Sequence, residues 1–144
     1  MKMLLISLAL VSTSAFALTL KEKKQLEAWN TSLEDASESS SQAFQTKCGY
    51  KLPVKLDEKM VTPFMEGSAN AGKYCDSVRS SIATMCEDKT SKEAVVKKVK
   101  SVFCRLGKGE ELMYKFNGTT VEVTMGIGAA NIDAKTKEWL ENNL

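Results

Sequence analysis

Histidine is absent from all 144 residues of this sequence. Its absence removes the commonest general base of enzymes, the Ser-His-Asp and Cys-His constellations, and every histidine metal ligand. The sequence also lacks the Cys-x-x-Cys spacing of redox pairs and the short paired spacings of structural zinc sites. The chemistry still open to an enzyme of this composition is that of carboxylates, or of a serine and lysine pair.

Long apolar runs are missing after the N-terminal segment. Apolar residues dominate from Met3 to Val11, after the basic Lys2, and Ala15-Phe16-Ala17 then has the small-x-small pattern of a signal-peptidase site. We therefore expect residues 1–17 to be a cleaved signal peptide of bacterial type, with Leu18 as the mature N-terminus. No later segment approaches the ~20 apolar residues of a membrane-spanning helix. The predicted location is the periplasm or the exterior, with no transmembrane segment after cleavage.

Charge is nearly balanced, because 20 basic and 18 acidic residues give a net charge of +2. Nucleic-acid binders depend on a basic excess, so we expect no nucleic-acid partner. Residues 18–144 have the usual size of one domain. Since no internal repeat or linker divides them, we predict a single globular domain over 18–144.

The mature chain begins with a helical pattern. Thr19 and Glu22 form a capping box, which predicts a helix that starts at Leu20. We expect this helix to continue to about Lys47, although the serine-rich residues 37–41 could break it. Apolar residues recur every three or four positions on one face of this helix: Leu26, Trp29, Leu33, Ala36, and Ala43 or Phe44.

Two helical patterns follow in the centre of the chain. The first runs from about Ala71 to Asp88, and a second capping box, Thr90 with Glu93, starts a helix near Ser91 that extends through Leu106. One or two residues remain for the turn between them. The pattern therefore predicts an antiparallel αα-hairpin.

Two segments alternate with the period of a strand. Residues 51–56 form a short strand, and Pro53 places it at a sheet edge because proline lacks the amide proton. Residues 111–125 form a hairpin around the turn Asn117-Gly118. The facing pairs expected from this turn are Phe116 with Thr119, Tyr114 with Val121, and Leu112 with Val123.

The chain closes with a helix that Asn131 is expected to cap, with Ile132, Thr136, Trp139 and Leu140 on one face. The predicted fold is α+β. It comprises a long N-terminal helix, a central disulfide-stapled αα-hairpin, a small and mostly antiparallel sheet, and a C-terminal helix.

Four cysteines in an exported chain predict two disulfides, for which three pairings exist. Cys75 and Cys86 lie eleven residues apart on one predicted helix, about 16 Å at 1.5 Å per residue, which is too far for a bond. In an antiparallel helix pair, Cys75 and Cys104 lie at equal distances from the turn. We therefore predict Cys75–Cys104 and Cys48–Cys86.

Lysines are concentrated in one segment, where Lys92, Lys97, Lys98 and Lys100 are expected on the outer face of the second central helix. Such a cluster is typical of a solvated helix face. It is also a surface on which an anionic partner could dock, such as an envelope polymer or lipid headgroups.

Carboxylates are the other candidate groups. Glu110-Glu111 and Asp57-Glu58 adjoin predicted elements, and Glu122 lies on the outer face of the hairpin. Paired carboxylates can perform acid–base catalysis at a defined separation across a cleft, whereas surface solvation is the other interpretation. We assign no catalytic residue, no cofactor-binding residue, no metal ligand and no cofactor.

These observations favour a small exported binding protein of the bacterial envelope or secretome over an enzyme. Its partner would be an unidentified protein or envelope polymer. One alternative is a carboxylate-dependent hydrolase of an envelope glycan or peptide, which would need a concave pocket with two carboxylates, one of raised pKa. Another is a structural envelope-associated protein, which would leave the stripe of Leu26, Trp29 and Leu33 uncovered.

Overall fold

A computed structural model of the chain describes residues 17–35 and 40–144. The predicted signal peptide, apart from Ala17, lies outside these described residues. The helices are α1 (Leu20–Glu34), α2 (Ser40–Cys48), α3 (Val61–Glu66), α4 (Ala71–Met85), α5 (Lys89–Lys98) and α6 (Ile132–Asn143). The strands are β1 (Val54–Leu56), β2 (Ser101–Leu106), β3 (Leu112–Asn117) and β4 (Thr120–Met125). This is the α+β fold that the sequence predicts.

The four described strands form one mixed sheet in the order β1-β2-β4-β3. The pairs β1–β2 and β2–β4 are parallel, and β3–β4 is antiparallel. The prediction of a mostly antiparallel sheet is therefore wrong, whereas the edge position of β1 is confirmed. The difference arises from β2, which the sequence pattern assigned to a helix and which lies between β1 and β4.

Residues 101–106 form a strand, so the helix predicted through Leu106 is wrong in its second half. Helix α5 ends at Lys98, and Val99 has extended backbone angles, φ −110° and ψ 114°. Val102 and Cys104 are buried, whereas Ser101, Phe103 and Arg105 are more exposed. Short apolar runs fit the helical and the strand period alike. The β-branched and aromatic residues of this run favour the strand, which gains hydrogen bonds on both sides.

The N-terminal helix is also shorter than predicted. The capping box is confirmed, because the Glu22 amide donates to Thr19 Oγ1 at 3.2 Å and the Thr19 amide donates to Glu22 Oε2 at 2.7 Å. Helix α1 ends at Glu34, and Asp35 has φ −99° and ψ 2°, outside the helical range. Helix α2 begins at Ser40. The continuous helix to Lys47 is therefore wrong, and residues 36–39, which include part of the serine-rich segment, lie outside the described part.

The two disulfides have the predicted partners. Cys48–Cys86 joins α2 to the end of α4, with the Cα atoms 5.3 Å apart, and Cys75–Cys104 joins α4 to β2, with the Cα atoms 6.3 Å apart. All four cysteines are buried. The helix-to-helix staple is nevertheless wrong, because Cys104 lies on a strand. The predicted pairs are correct, whereas the helical position predicted for Cys104 is wrong.

The hairpin over residues 111–125 is confirmed, with a register two residues from the predicted one. The pairs are Leu112 with Met125, Tyr114 with Val123, Phe116 with Val121, and Asn117 with Thr120. The turn therefore centres on Gly118 and Thr119, and Gly118 has φ 60°. Glycine at the first central position suits a type II′ turn. A shift of two residues keeps every side chain on its predicted face.

Helix α4 lies at the centre of the core, where it contacts α1, α2, α5, α6 and β1. Its residues Cys75, Val78 and Ile82 are completely buried. The C-terminal helix is confirmed as α6, with Thr136 buried on its inner side. Asn131 precedes α6 in a left-handed conformation, φ 56°, and its side chain makes no capping bond. The predicted cap is therefore wrong.

Candidate functional site

Helix α5 lies on the surface of the molecule. It begins after Asp88, whose carboxylate accepts a hydrogen bond from the Ser91 amide at 2.8 Å, and this bond lowers the pKa of Asp88. Val95 is its buried residue. Lys97 and Lys98 occupy the last turn, where positive charge interacts favourably with the helix dipole. Because Val95 is the buried residue of α5, the sides of the helix away from Val95 carry mainly polar side chains.

Three lysines surround a shallow groove on the outer side of α5. Lys89, Lys92 and Lys97 line this groove of about 450 Å³ together with Glu93 and Val96. We term these three lysines the α5 lysine surface. Lys89 and Lys97 are exposed and Lys92 is partly exposed. No residue of the described ranges forms an ion pair or hydrogen bond with their ammonium groups.

The other two predicted lysines have partners within the molecule. Lys98 Nζ donates to the backbone carbonyl oxygens of residues 143 and 144, at 3.2 and 2.6 Å. Lys100 Nζ donates to the carbonyl of Val96 and lies 5.2 Å from the centre of the Tyr50 ring. The ammonium groups of both lysines therefore bind groups within the protein, and these lysines do not belong to the α5 lysine surface.

Lys89 was missed because the sequence pattern started the helix near Ser91. With the start at Lys89, as the structure has it, Lys89 lies three residues before Lys92 and shares a face with it. The signal that could have found it was Asp88, a good helix-capping residue directly before Lys89.

Positive charge is concentrated around this helix. Residues 89–100 contain five lysines and one glutamate, which gives a net charge of +4. The rest of the chain has 15 basic and 17 acidic residues, and so carries −2. The net positive charge of the protein therefore comes from this segment.

Glu122 lies on the outer face of β4, as predicted, and is held as an anion. Its carboxylate accepts hydrogen bonds from Arg105 at 3.2 Å and from Asn117 Nδ2 at 2.9 Å, and it pairs with Lys115 Nζ at 2.9 Å. Its side chain is 5% exposed. The bond from Arg105, followed by those from Asn117 and Lys115, lowers the pKa of Glu122 to about 2. A group with this pKa is unsuited to general-acid catalysis at neutral pH.

Two of the other predicted carboxylates, Asp57 and Glu111, close local turns, whereas Glu58 and Glu110 are exposed. Asp57 accepts a hydrogen bond from the Lys59 amide at 3.1 Å, and Glu111 accepts one from the Lys108 amide at 2.9 Å. The carboxyl groups with a shifted pKa in the described residues all have it lowered. These groups are Glu22, Glu87, Asp88 and Glu122.

A second groove, of about 400 Å³, lies between α4 and α6. Lys73, Tyr74 and Asp133 contribute to its lining. Asp133 accepts a hydrogen bond from the Ser81 hydroxyl at 2.9 Å. Asp133 is the only carboxylate among the described residues that line this groove. The groove therefore does not provide the facing carboxylates of a glycosidase.

Residues 17–35 and 40–144 contain no group of metal-binding side chains that could hold an ion. No helix within these ranges is long and apolar enough to cross a membrane. Comparison of the chain with protein-family models, curated proteins and solved structures gives no match.

Proposed function

We propose that this protein is a small exported binding protein that docks on an anionic polymer of the bacterial cell envelope. The observation that carries this proposal is the α5 lysine surface, in which three lysines share one groove and lack partners in the described residues. Because the remaining chain is net negative, this helix is where an anionic partner would be attracted.

The disulfides support the exported location. Cys48–Cys86 and Cys75–Cys104 both link helix α4 to other elements. Such bonds persist in oxidising compartments outside the cytoplasm. Together with the signal peptide predicted over residues 1–17, they support a periplasmic or secreted protein.

The arrangement of the lysines favours a polymer over a membrane surface. Lys89 and Lys97 are eight residues apart, about 12 Å along the helix at 1.5 Å per residue. A polymer with repeated anionic groups can follow such a line. Membrane-surface helices add inserted apolar side chains. The large apolar side chains exposed among the described residues, Leu20 and Met113, lie outside α5.

The two alternative functions receive less support. A carboxylate hydrolase would need a carboxyl group of raised pKa, and the shifted carboxyl groups described above have lowered values. A structural protein that docks by the stripe of α1 would need that stripe exposed. Trp29 and Leu33 are 6% and 2% exposed, and α1 contacts α4 and β1.

Calorimetric titration with long-chain inorganic polyphosphate tests the proposal. The variant K89Q/K92Q/K97Q removes the α5 lysine surface, and K21Q/K23Q/K24Q removes the same charge from exposed positions of α1. At about 0.5–1 kcal/mol per exposed ion pair, the first variant should weaken binding about tenfold or more. The control should stay within about twofold, and added salt should weaken wild-type binding.

Two outcomes would contradict this proposal. Equal weakening by both variants would show that net charge acts without a defined surface. Binding to phosphatidylglycerol vesicles, with none to polyphosphate, would show that the lysines serve a membrane surface instead.

A further inference from the structure

Strand β3 presents unpaired backbone groups at the edge of the sheet. Next to the pair Leu112–Met125, the Gly126 amide donates to the Glu111 carbonyl at 2.8 Å. Hydrogen-bonded and non-hydrogen-bonded pairs alternate along an antiparallel ladder. The residues of β3 that bond to β4 are therefore Met113, Lys115 and Asn117. The residues whose N–H and C=O groups point away from β4 are Leu112, Tyr114 and Phe116.

The bonds on the other side of β4 agree with this alternation. The Gly107 amide donates to the Met125 carbonyl at 2.7 Å, and the Lys100 amide donates to the Thr119 carbonyl at 2.8 Å. The backbone N–H and C=O groups of the odd-numbered residues of β4 therefore point towards β2, and those of the even-numbered residues point towards β3. No described residue bonds to the outward backbone groups of β3.

Beside this free edge lies a group of aromatic rings on the core side of the sheet. The Trp139 ring stacks on Tyr114 at 5.4 Å between centroids and lies 5.0 Å from Phe116. All three side chains are half-buried. We term them the aromatic shelf. Partly exposed aromatic side chains are enriched where proteins bind one another.

The opposite face of the same edge is basic. Lys115 keeps 66% of its side chain exposed although it pairs with Glu122, and Met113 beside it is 54% exposed. Arg105 also donates to Glu122. One carboxylate therefore faces two cations, which leaves excess positive charge next to the edge.

We propose that the free edge of β3 binds an extended segment of a partner protein by strand addition. Backbone groups of the segment pair with those of Leu112, Tyr114 and Phe116, as in other complexes formed by strand addition. Its apolar side chains lie against the aromatic shelf. An acidic side chain on its other face lies beside Lys115.

Charge favours such an acidic partner over a second copy of this chain. Antiparallel self-pairing centred on Tyr114 would place Lys115 of both copies on one face, as diagonal neighbours. Like charges across strands are destabilising, and edge lysines commonly prevent such pairing. An acidic segment would instead place a negative charge beside Lys115, which is a favourable pairing across strands.

The other sheet edge offers less to a partner. Strand β1 has three residues, follows Pro53, and contacts α1 and α4. Strand β3 has six residues, the usual strand length.

Amide hydrogen exchange with a defined peptide tests this proposal. The probe is the blocked peptide TTVEVTMG, which has the sequence of residues 119–126 and alternates apolar residues with an acidic one. Its controls are TTVKVTMG and a version with N-methyl groups at alternate amides. The acidic peptide should slow exchange of the Leu112, Tyr114 and Phe116 amides about tenfold. The lysine peptide should bind about fivefold more weakly, and the N-methylated peptide should have no effect.

A charge-reversal pair makes the test specific. K115E should prefer the lysine peptide, whereas K55E, which reverses a charge in the same cross-strand row at the far edge, should keep the wild-type preference. Unchanged exchange of the three amides, or equal effects of K115E and K55E, would overturn the proposal. The inference is independent of the α5 lysine surface, so K89Q/K92Q/K97Q should bind this peptide like wild type.

Discussion

Arg79 Nη1 lies 2.5 Å from the backbone carbonyl oxygen of Leu33 and donates a hydrogen bond to it. The same guanidinium donates through Nε to the Ser40 hydroxyl at 3.0 Å and pairs through Nη2 with Asp76 at 2.6 Å. Arg79 is 1% exposed. One buried side chain of α4 thus binds the end of α1 and the start of α2, on either side of the break between them.

Replacement of Arg79 should destabilise the protein strongly. Arg79→Met leaves the Leu33 carbonyl without its donor and Asp76 without its cation, so we expect a loss of about 2–3 kcal/mol in unfolding free energy. Urea denaturation measures this loss. Lys73→Met, at an exposed position of the same helix, should change stability by less than about 0.5 kcal/mol. Equal midpoints for the two variants would show that the Arg79 contacts contribute nothing.

Glu122 should make stability depend on pH in the acid range. Its pKa is about 2 in the folded protein against an ordinary value of 4.5, because Arg105, Asn117 and Lys115 stabilise the anion. The unfolded chain therefore takes up a proton first, so this stabilisation is complete above pH 4.5 and is lost as the pH falls towards 2.

Denaturation midpoints between pH 6 and pH 2 test that expectation. Glu122→Gln should show a flatter pH dependence than wild type, since the titrating group is gone. Glu110→Gln removes an exposed carboxylate that lies before the start of β3 and should retain the wild-type slope. Parallel curves for wild type and Glu122→Gln would show that Glu122 does not titrate as inferred.

Both disulfides should contribute to stability through the unfolded chain. They close segments with sequence separations of 38 and 29 residues, for which chain entropy gives about 4 kcal/mol each. Cys48→Ser/Cys86→Ser and Cys75→Ser/Cys104→Ser should each lower the unfolding free energy by an amount of this order. Peptide mapping of the unreduced protein checks the connectivity, and a peptide joining Cys86 to Cys104 would refute it.

Signals carried by neighbouring residues predicted much of the secondary structure. The Thr19 and Glu22 capping box gave the start of α1, and the alternation around Gly118 gave the hairpin and the faces of both its strands. These features depend on residues a few positions apart. Their hydrogen bonds and side-chain directions follow from local backbone geometry. The candidate lysines were also visible locally, as a cluster in one segment.

Contacts between distant parts of the chain decided the rest. Residues 101–106 have an apolar pattern that suits a helix or a strand, and pairing with β1 and β4 made it a strand and the sheet mixed. Arg79 can be buried because Leu33, Ser40 and Asp76 accept its hydrogen bonds. Lys98 does not belong to the α5 lysine surface, because its ammonium group binds carbonyl oxygens at the end of α6. The sequence by itself determined which segments are amphipathic and where helices and turns can begin. The tertiary structure alone decided which polar groups find partners, because a hydrogen bond or ion pair between distant residues depends on their separation in space.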